Sequence, residues 1–305
     1  MNLLEQLAAE ALRNRPELSL LRPAVEKELL HHDILRLLND AGLLAGLTFI
    51  GGTCLRACYG AERLSEDLDF SGGRDFRRES MAGLKAALET GLRAKYGLEV
   101  EVMEPVRETG NTDTWKIRII TRPTRRTMPA QRINIDICAV PSHDRRPLML
   151  RNHYGVEMGT SGLILQAESR EEILADKLLA LALRPNRVKN RDLWDIGWLK
   201  RHNINLSAVL LSRKIADRRL APEDFLKYLE RRQKLLAGGP EPRRDFIHEM
   251  TRFLAAATVE QTVAREDFWP YLLDTIADEC RQARTLLETL PQGRNMVSKR
   301  KDKLT

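Results

Sequence analysis

Cysteine is scarce in this chain and long apolar runs are missing, and each lack excludes a class of function. The four cysteines, Cys54, Cys58, Cys138 and Cys280, do not have the paired spacing of a structural zinc site. Cys54 and Cys58 fall four residues apart, on one face of a helix, and read as small buried thiols. No uninterrupted apolar stretch is long enough to span a bilayer, so no membrane partner is expected. The N-terminus, MNLLEQLAAEALRNRPEL, offers neither the basic start nor the small-residue cleavage site of a secretory signal. A cytoplasmic location is the resulting expectation. Internal repeats and long low-complexity tracts are also missing.

What remains is a chain of 305 residues, 43% hydrophobic and 30% charged, the composition of an ordinary folded protein. That length supports a proper core and two closely packed units. The formal net charge of +7 suits a polyanion such as RNA, and it equally suits a soluble protein that is simply basic.

Apolar periodicity gives the outline. Two helices fill the first forty or so residues, with a break around Arg15-Pro16 and Arg22-Pro23. LTFIGG reads as a strand entering a glycine turn, TCLRACYG as a short helix and LSEDLDFS as a second strand. After the amphipathic stretch ESMAGLKAALETGLRAKYG come three alternating strands, LEVEVM, TWKIRIIT and RINIDICAV, and one more short strand in GLILQA. From Ser169 onward the pattern is helical, PRRDFIHEMTRFLAAA included. The fold class expected is α+β: a mixed sheet with flanking helices, followed by a C-terminal helical domain. The boundaries expected are 1–166 for the α/β domain with its N-terminal helices, 167–292 for a helical domain contributing to the active-site cleft, and 293–305 for a basic, disordered tail.

The segment FIGGTCLRACYGAERLSEDLDFS carries the most chemistry. Residues two apart in a strand share a face, so Asp67 and Asp69 converge. Two like charges held that close are costly unless a cation sits between them. Magnesium, bound through carboxylates and substrate phosphate oxygens, is the natural occupant. Gly51 and Gly52 let backbone N–H groups approach a triphosphate at the N-terminus of the following helix. Thr53 is expected to offer its hydroxyl to the β- or γ-phosphate. Ser65 faces the same side as the carboxylates and is counted with the nucleotide-binding residues. Asp136, on the alternating strand RINIDICAV, is the best candidate for a third metal carboxylate; period alone also allows a solvated aspartate there.

These residues resemble the AbiEii/AbiGii family of nucleotidyltransferase toxins, which includes the MenT proteins and belongs to the polymerase-β-like superfamily. The family's Gly-Gly-Ser/Thr turn, Leu/Tyr-bearing helix and Arg-x-Ser-x-Asp-Leu-Asp-Phe strand are met by Gly51, Gly52, Thr53, Leu55, Tyr59, Arg63, Ser65, Asp67, Leu68, Asp69 and Phe70. Glu26-Lys27-Glu28 is similar to its acidic lead-in. EEILADKLLALALR places Lys177 in the family's lysine-bearing helix, and NRDLWDIGWL places Arg191, Asp192 and Asp195 in its Arg-Asp-x-x-Asp motif. The likeness covers roughly residues 25–200. It implies a polymerase-β-like sheet and magnesium-dependent transfer of a nucleoside monophosphate from an NTP. It further implies the 3′ end of tRNA as acceptor, a block on translation, and a cognate antitoxin as partner.

Alone, the chemistry of Lys177 fits a boundary lysine whose stem covers Leu174, Leu178 and Leu181; the resemblance turns it into a cation for the triphosphate. Arg191 and Asp195, four apart, allow an exposed ion pair. Asp195 is nevertheless the expected catalytic or orienting carboxylate, with Asp192 close behind. Arg63 and Arg56 are expected to meet phosphates, and Arg191 to bind nucleotide. Arg122, Arg125, Arg126 and Arg132 around one hairpin, with Lys299, Arg300, Lys301 and Lys303 in the tail, either track an RNA backbone or are simply solvated. Two alternatives stay open: the same transfer to a protein or small molecule, and a non-catalytic nucleotide- or RNA-binding module.

Overall fold

The structure, a computed structural model, describes residues 2–106, 110–122, 129–184 and 188–289. Arg125, Arg126 and the tail from 293 lie outside them. The chain runs α1 (Leu3–Asn14), α2 (Arg22–Asp40), β1 (Thr48–Ile50), α3 (Gly51–Tyr59), β2 (Leu68–Ser71), α4 (Leu84–Tyr96), β3 (Glu99–Met103), β4 (Thr112–Ile120), β5 (Gln131–Cys138), β6 (Arg145–Met149) and β7 (Ile164–Glu168). Helices follow: α5 (Arg170–Leu183), α6 (Asn190–Arg201), α7 (Ala208–Asp217), α8 (Pro222–Leu236), α9 (Glu241–Met250), α10 (Ala256–Gln261) and α11 (Phe268–Thr289).

Alternation builds the sheet. In β5, Ile133, Ile135 and Ile137 are buried, while Arg132, Asn134 and Asp136 between them face the more open side. In β4, Trp115, Ile117 and Ile119 do the same, and α2 and α4 pack against β5 and β3. Seven strands join in the order β3-β4-β5-β2-β1-β7-β6. β2 lies parallel to β5 and antiparallel to β1, and β1 lies parallel to β7. The two strands that flank the glycine turn therefore sit side by side at mid-sheet. The apolar core continues from the sheet into the helices without a break. The architecture is the α+β one expected, a mixed sheet with N-terminal helices and then a run of helices.

Two elements differ from expectation. β6 was not foreseen, because its residues RRPLM are almost all exposed and show no alternation. The helix expected over PRRDFIHEMTRFLAAA stops at Met250, and α10 begins only at Ala256. Phe253 and Leu254 turn inward at that break, and the Phe253 carbonyl accepts a hydrogen bond from the Leu64 amide at 2.9 Å. Among the described residues no helix is long and apolar enough to cross a membrane. The free cysteines Cys54 and Cys58 are buried, as expected.

Phe70 holds β2 in place, its ring 5.2 Å from that of Phe49 in β1. Phe70→Ala is expected to cost about 3–5 kcal/mol in urea unfolding. A loss under about 1 kcal/mol would show that the strand pair is held by something else.

Candidate active site

A cleft of about 250 Å³ opens where the sheet meets the helical half. Gly51, Gly52, Asp67, Asp69 and Asp136 line it from the sheet side; Lys177, Arg191 and Asp192 line it from the helices.

Register explains how the carboxylates meet. Asp69 pairs with Asp136 across β2 and β5. Asp67 sits just before β2, and its Oδ1 accepts the Asn134 amide at 3.1 Å. Thr114 donates its hydroxyl to Asp136 at 2.6 Å. Burial, helped by the charges of Asp136 and Asp67, raises the pKa of Asp69 to about 6 against the pull of Lys189 and Lys177. Burial and the Asp67 charge raise Asp136 as well. Among the described residues none of the three carboxylates makes an ion pair, so their repulsion is only partly relieved. The donor set is all carboxylate oxygen, which fits a hard cation. Yet among the described residues no three His, Cys, Asp or Glu side chains stand where they could hold an ion between them. Asp67, Asp69 and Asp136 thus line one cleft without closing into a three-ligand cage by themselves. The arrangement instead suits magnesium, which keeps several waters and shares its coordination with phosphate oxygens.

The glycines are required by what lies against them. Gly51 has φ +76°, and a Cβ there would meet Asp69 Oδ2 at 2.9 Å. A Cβ on Gly52 would fall 2.0 Å from Arg63 Nη2. α3 starts at Gly51 with no side-chain cap, which leaves its first amides available at the cleft. Thr53 departs from expectation: its hydroxyl is buried and donates to the Asp67 carbonyl, which leaves Ser65 to donate to Thr53 at 2.5 Å. It anchors the carboxylate strand rather than facing a phosphate. Ser65 lines the cleft, and its amide donates to Glu28 at 3.0 Å.

Arg63 also departs from expectation. Its Nε and Nη2 donate to Asp195 Oδ1 and Oδ2 at 2.8 and 2.7 Å, a buried two-armed pair. Lys177 Nζ sits 2.7 Å from both Asp192 Oδ1 and Asp195 Oδ2. Burial alone would raise the pKa of Asp195, but Arg63 and Lys177 outweigh it and hold the carboxyl at about 2. Burial disfavours the Lys177 charge too, and here Asp192 and Asp195 win, so the pKa lies above the ordinary lysine value. Asp195 is thus turned to its two cations. Arg191 does not pair with Asp195; it stands 3.5 Å from Glu66, 3.3 Å from Glu249 and over the Phe253 ring. Arg56 does not reach the cleft, being buried against Glu28 and the Ala61 carbonyl. Arg122 turns inward to Glu26 at 2.6 Å.

Sequence reasoning missed Lys189, Arg184 and Arg218, which also line the cleft. Lys189 stands next to the Asn-Arg-Asp motif and Arg184 closes the lysine-bearing helix segment, so their positions were the available signal; Arg218 lies in a stretch without a motif. A larger groove, about 580 Å³, adjoins the cleft and shares Arg191 with it. It holds Glu241, Asp245 and Glu249 but none of the carboxylates on the sheet.

A family model described as nucleotidyl transferase AbiEii toxin, type IV toxin–antitoxin system, matches residues 33–270. Among solved structures the chain is similar to JHP933 from Helicobacter pylori, with 18% identity over 88% of this chain and 93% of that one and a TM-score of 0.47. It is also similar to an H. pylori protein provisionally described as a nucleotidyltransferase, with 15% identity over 87% of this chain and 98% of that one and a TM-score of 0.46. A comparison with curated proteins finds no match.

Two outcomes follow from the electrostatics. Because the folded pKa of Asp69 lies above its ordinary value, the native state holds that proton more tightly than the unfolded chain. Its stabilising contribution is full at acid pH and is lost as pH rises through about 6. Asp69→Asn cannot lose the proton, so without metal it should exceed the wild type in stability at about pH 8 by about 3 kcal/mol. The difference should vanish near pH 4, the ordinary range of the carboxyl; thermal melts across pH check both. Asp195→Ala strands two buried cations and should cost about 3–5 kcal/mol, again read by thermal or urea unfolding.

Proposed function

The chain belongs to the family of AbiEii nucleotidyl transferase toxins of type IV toxin–antitoxin systems, and from that premise we propose that it transfers a nucleoside monophosphate from an NTP to the 3′ end of tRNA, blocking translation. The observation that carries this reading is the meeting of Asp67, Asp69 and Asp136 at one cleft with the uncapped N-terminus of α3. The reaction takes place in the cytoplasm, and a cognate antitoxin restrains it. In this reading residues 1–166 supply the carboxylates and the glycine turn, and residues 167–292 close the cleft over the nucleotide.

The acceptor hydroxyl oxygen attacks the α-phosphorus, the bond from that phosphorus to the bridging oxygen breaks, and pyrophosphate leaves. Asp136, whose pKa is raised by burial, takes the hydroxyl proton as its bond to phosphorus forms. The backbone N–H groups of Gly51 and Gly52 meet the phosphates. Asp67 and Asp69, with Asp136 nearby, would hold magnesium, which would neutralise phosphate charge and stabilise the leaving group. Lys177 and Asp195 hold α5 and α6 against the Arg63 loop so that the cleft keeps its width.

RNA is favoured as acceptor by the sheet face next to Asp136. There β4 and β5 present Lys116, Arg118 and Arg132 on the same side as Thr114 and Asp136. Transfer to a protein or small molecule would use the same carboxylates but gives no purpose to that row.

Purified protein incubated with total tRNA, magnesium and each α-labelled NTP in turn should put label into tRNA from one NTP, and Asp69→Ala should abolish it. No label in RNA from any NTP would remove the tRNA acceptor. Label appearing in protein instead would move the acceptor to a side chain.

A further inference from the structure

The positive charges of the cleft fall into two sets, and the division assigns a role to Lys189. Arg63 and Lys177 are both committed to the protein: two cations and two carboxylates, Asp192 and Asp195, close into one buried group. Such a group has little charge left over for a ligand. Arg191 leans on Glu66 and Glu249. Arg184 stands 3.4 Å from Asp192 and Arg218 stands 3.7 Å from Asp176. Lys189 lines the same cleft, yet among the described residues no carboxylate or hydrogen-bond acceptor lies within bonding reach of its ammonium. Its charge is felt by the carboxylates that line the cleft, opposing the rise that burial gives the pKa of Asp69 and Asp136. Its own pKa is lowered: burial dominates, the Asp192 charge pulls the other way, and Lys177 and Arg191 add to the fall. A cation held partly desolvated, beside other cations and without a paired anion, is costly until an anion arrives.

An NTP carries more negative charge than one magnesium ion neutralises, and the remainder resides on its outer phosphates. Resting on the nucleotidyl-transfer reading, we propose that Lys189 is the cation that receives the β- and γ-phosphates of the incoming NTP, and that Lys177 is a positioning residue. Lys189 is suited to this by its place: it immediately precedes α6, whose Asp192 is already taken by Lys177. Among the described residues Lys189 makes no ion pair with that group, and the second Asp192 oxygen is faced by Arg184 at 3.4 Å. The ammonium is a compact point charge with three donors, so it can follow the phosphates as the leaving group separates. Lys177, gripped from two sides, cannot do so without releasing Asp192 and Asp195.

The test is calorimetric titration of the full chain with magnesium tripolyphosphate, a probe that needs no knowledge of the base, alongside NTP kinetics with tRNA. Lys189→Ala should weaken tripolyphosphate binding about tenfold to a hundredfold, the range for a lost charged hydrogen bond, and raise the KM for NTP by a similar factor. Lys189→Arg should recover most of the binding. The melting temperature of Lys189→Ala should stay near that of the wild type, whereas Lys177→Ala should melt markedly earlier because it strands two buried carboxylates. Tripolyphosphate binding and KM unchanged in Lys189→Ala, with an active wild type, would overturn the assignment and leave nucleotidyl transfer standing. A wild type that neither binds tripolyphosphate nor transfers nucleotide would remove the parent reading, and this assignment with it.

Discussion

The buried pairing of Arg63 with Asp195 is the contact on which the rest of the site depends. Arg63 lies in the short loop between α3 and β2, and Asp195 lies on α6, 132 residues away in sequence. Their two-armed contact ties the glycine turn and the carboxylate strand to the helical half, and Lys177 extends it to α5. Gly52 is needed because the guanidinium occupies the space where a side chain would be. The Leu64 amide, next in the chain, reaches the Phe253 carbonyl and so fixes the same loop to the turn after α9. A buried ion group of this kind contributes little net stability, since desolvation offsets much of its attraction. What it does supply is geometry: the charges can be satisfied only when loop, α5 and α6 stand in this one arrangement.

A second buried lysine extends the same logic to the far side of α5. Lys214 on α7 sits 2.8 Å from each of Glu168, Glu172 and Asp176. Glu172 also accepts the amides of His143 and Asp144 at 2.8 and 2.6 Å, fastening the chain before β6. α5 is thus held by ion groups on two sides, through Lys177 toward the cleft and through Glu172 and Asp176 toward α7. Asp176, paired with Lys214, also lines the cleft. A helix restrained this way presents Lys177 in a fixed position, which is why its charge serves the protein's own carboxylates.

The parts of this site legible in the sequence were those set by local period. Asp67 and Asp69 announce themselves by a two-residue spacing, Asp136 by alternation with Ile135 and Ile137, and the glycines by opening a helix. Their convergence follows once β2 pairs with both β1 and β5. The partners of the charged residues were not legible, because they come from distant elements. Nothing near Arg63 points to Asp195, and nothing near Arg191 points to Glu249. Thr53 shows the same limit: a hydroxyl beside a glycine turn reads as a phosphate ligand, but only the return of the chain at Asp67 reveals the carbonyl that takes it. β6 escaped for the opposite reason, since an exposed edge strand has no apolar face to give it a period.

The distribution of charge around the cleft bears on how a polyanionic acceptor would approach. The adjoining groove sets Glu66, Glu241, Asp245 and Glu249 against Arg191 and Arg252, an excess of negative charge. Phosphates entering there would meet carboxylates before reaching the reaction centre, and the repulsion is strongest in a partly desolvated groove. The face of β4 and β5 has the reverse character, with Lys116 and Arg132 exposed and Arg118 half-buried, 3.6 Å from Glu101 on the neighbouring strand. Register places Lys116 opposite Asn134 and Arg118 opposite Arg132, so the cations form a row that runs up to the Thr114–Asp136 pair. Under the RNA reading, a backbone laid along that row brings its end to Asp136 from the sheet side. The nucleotide would then enter from the helical side, where Lys189 stands, and the two substrates would meet at the carboxylates without competing for the same cations.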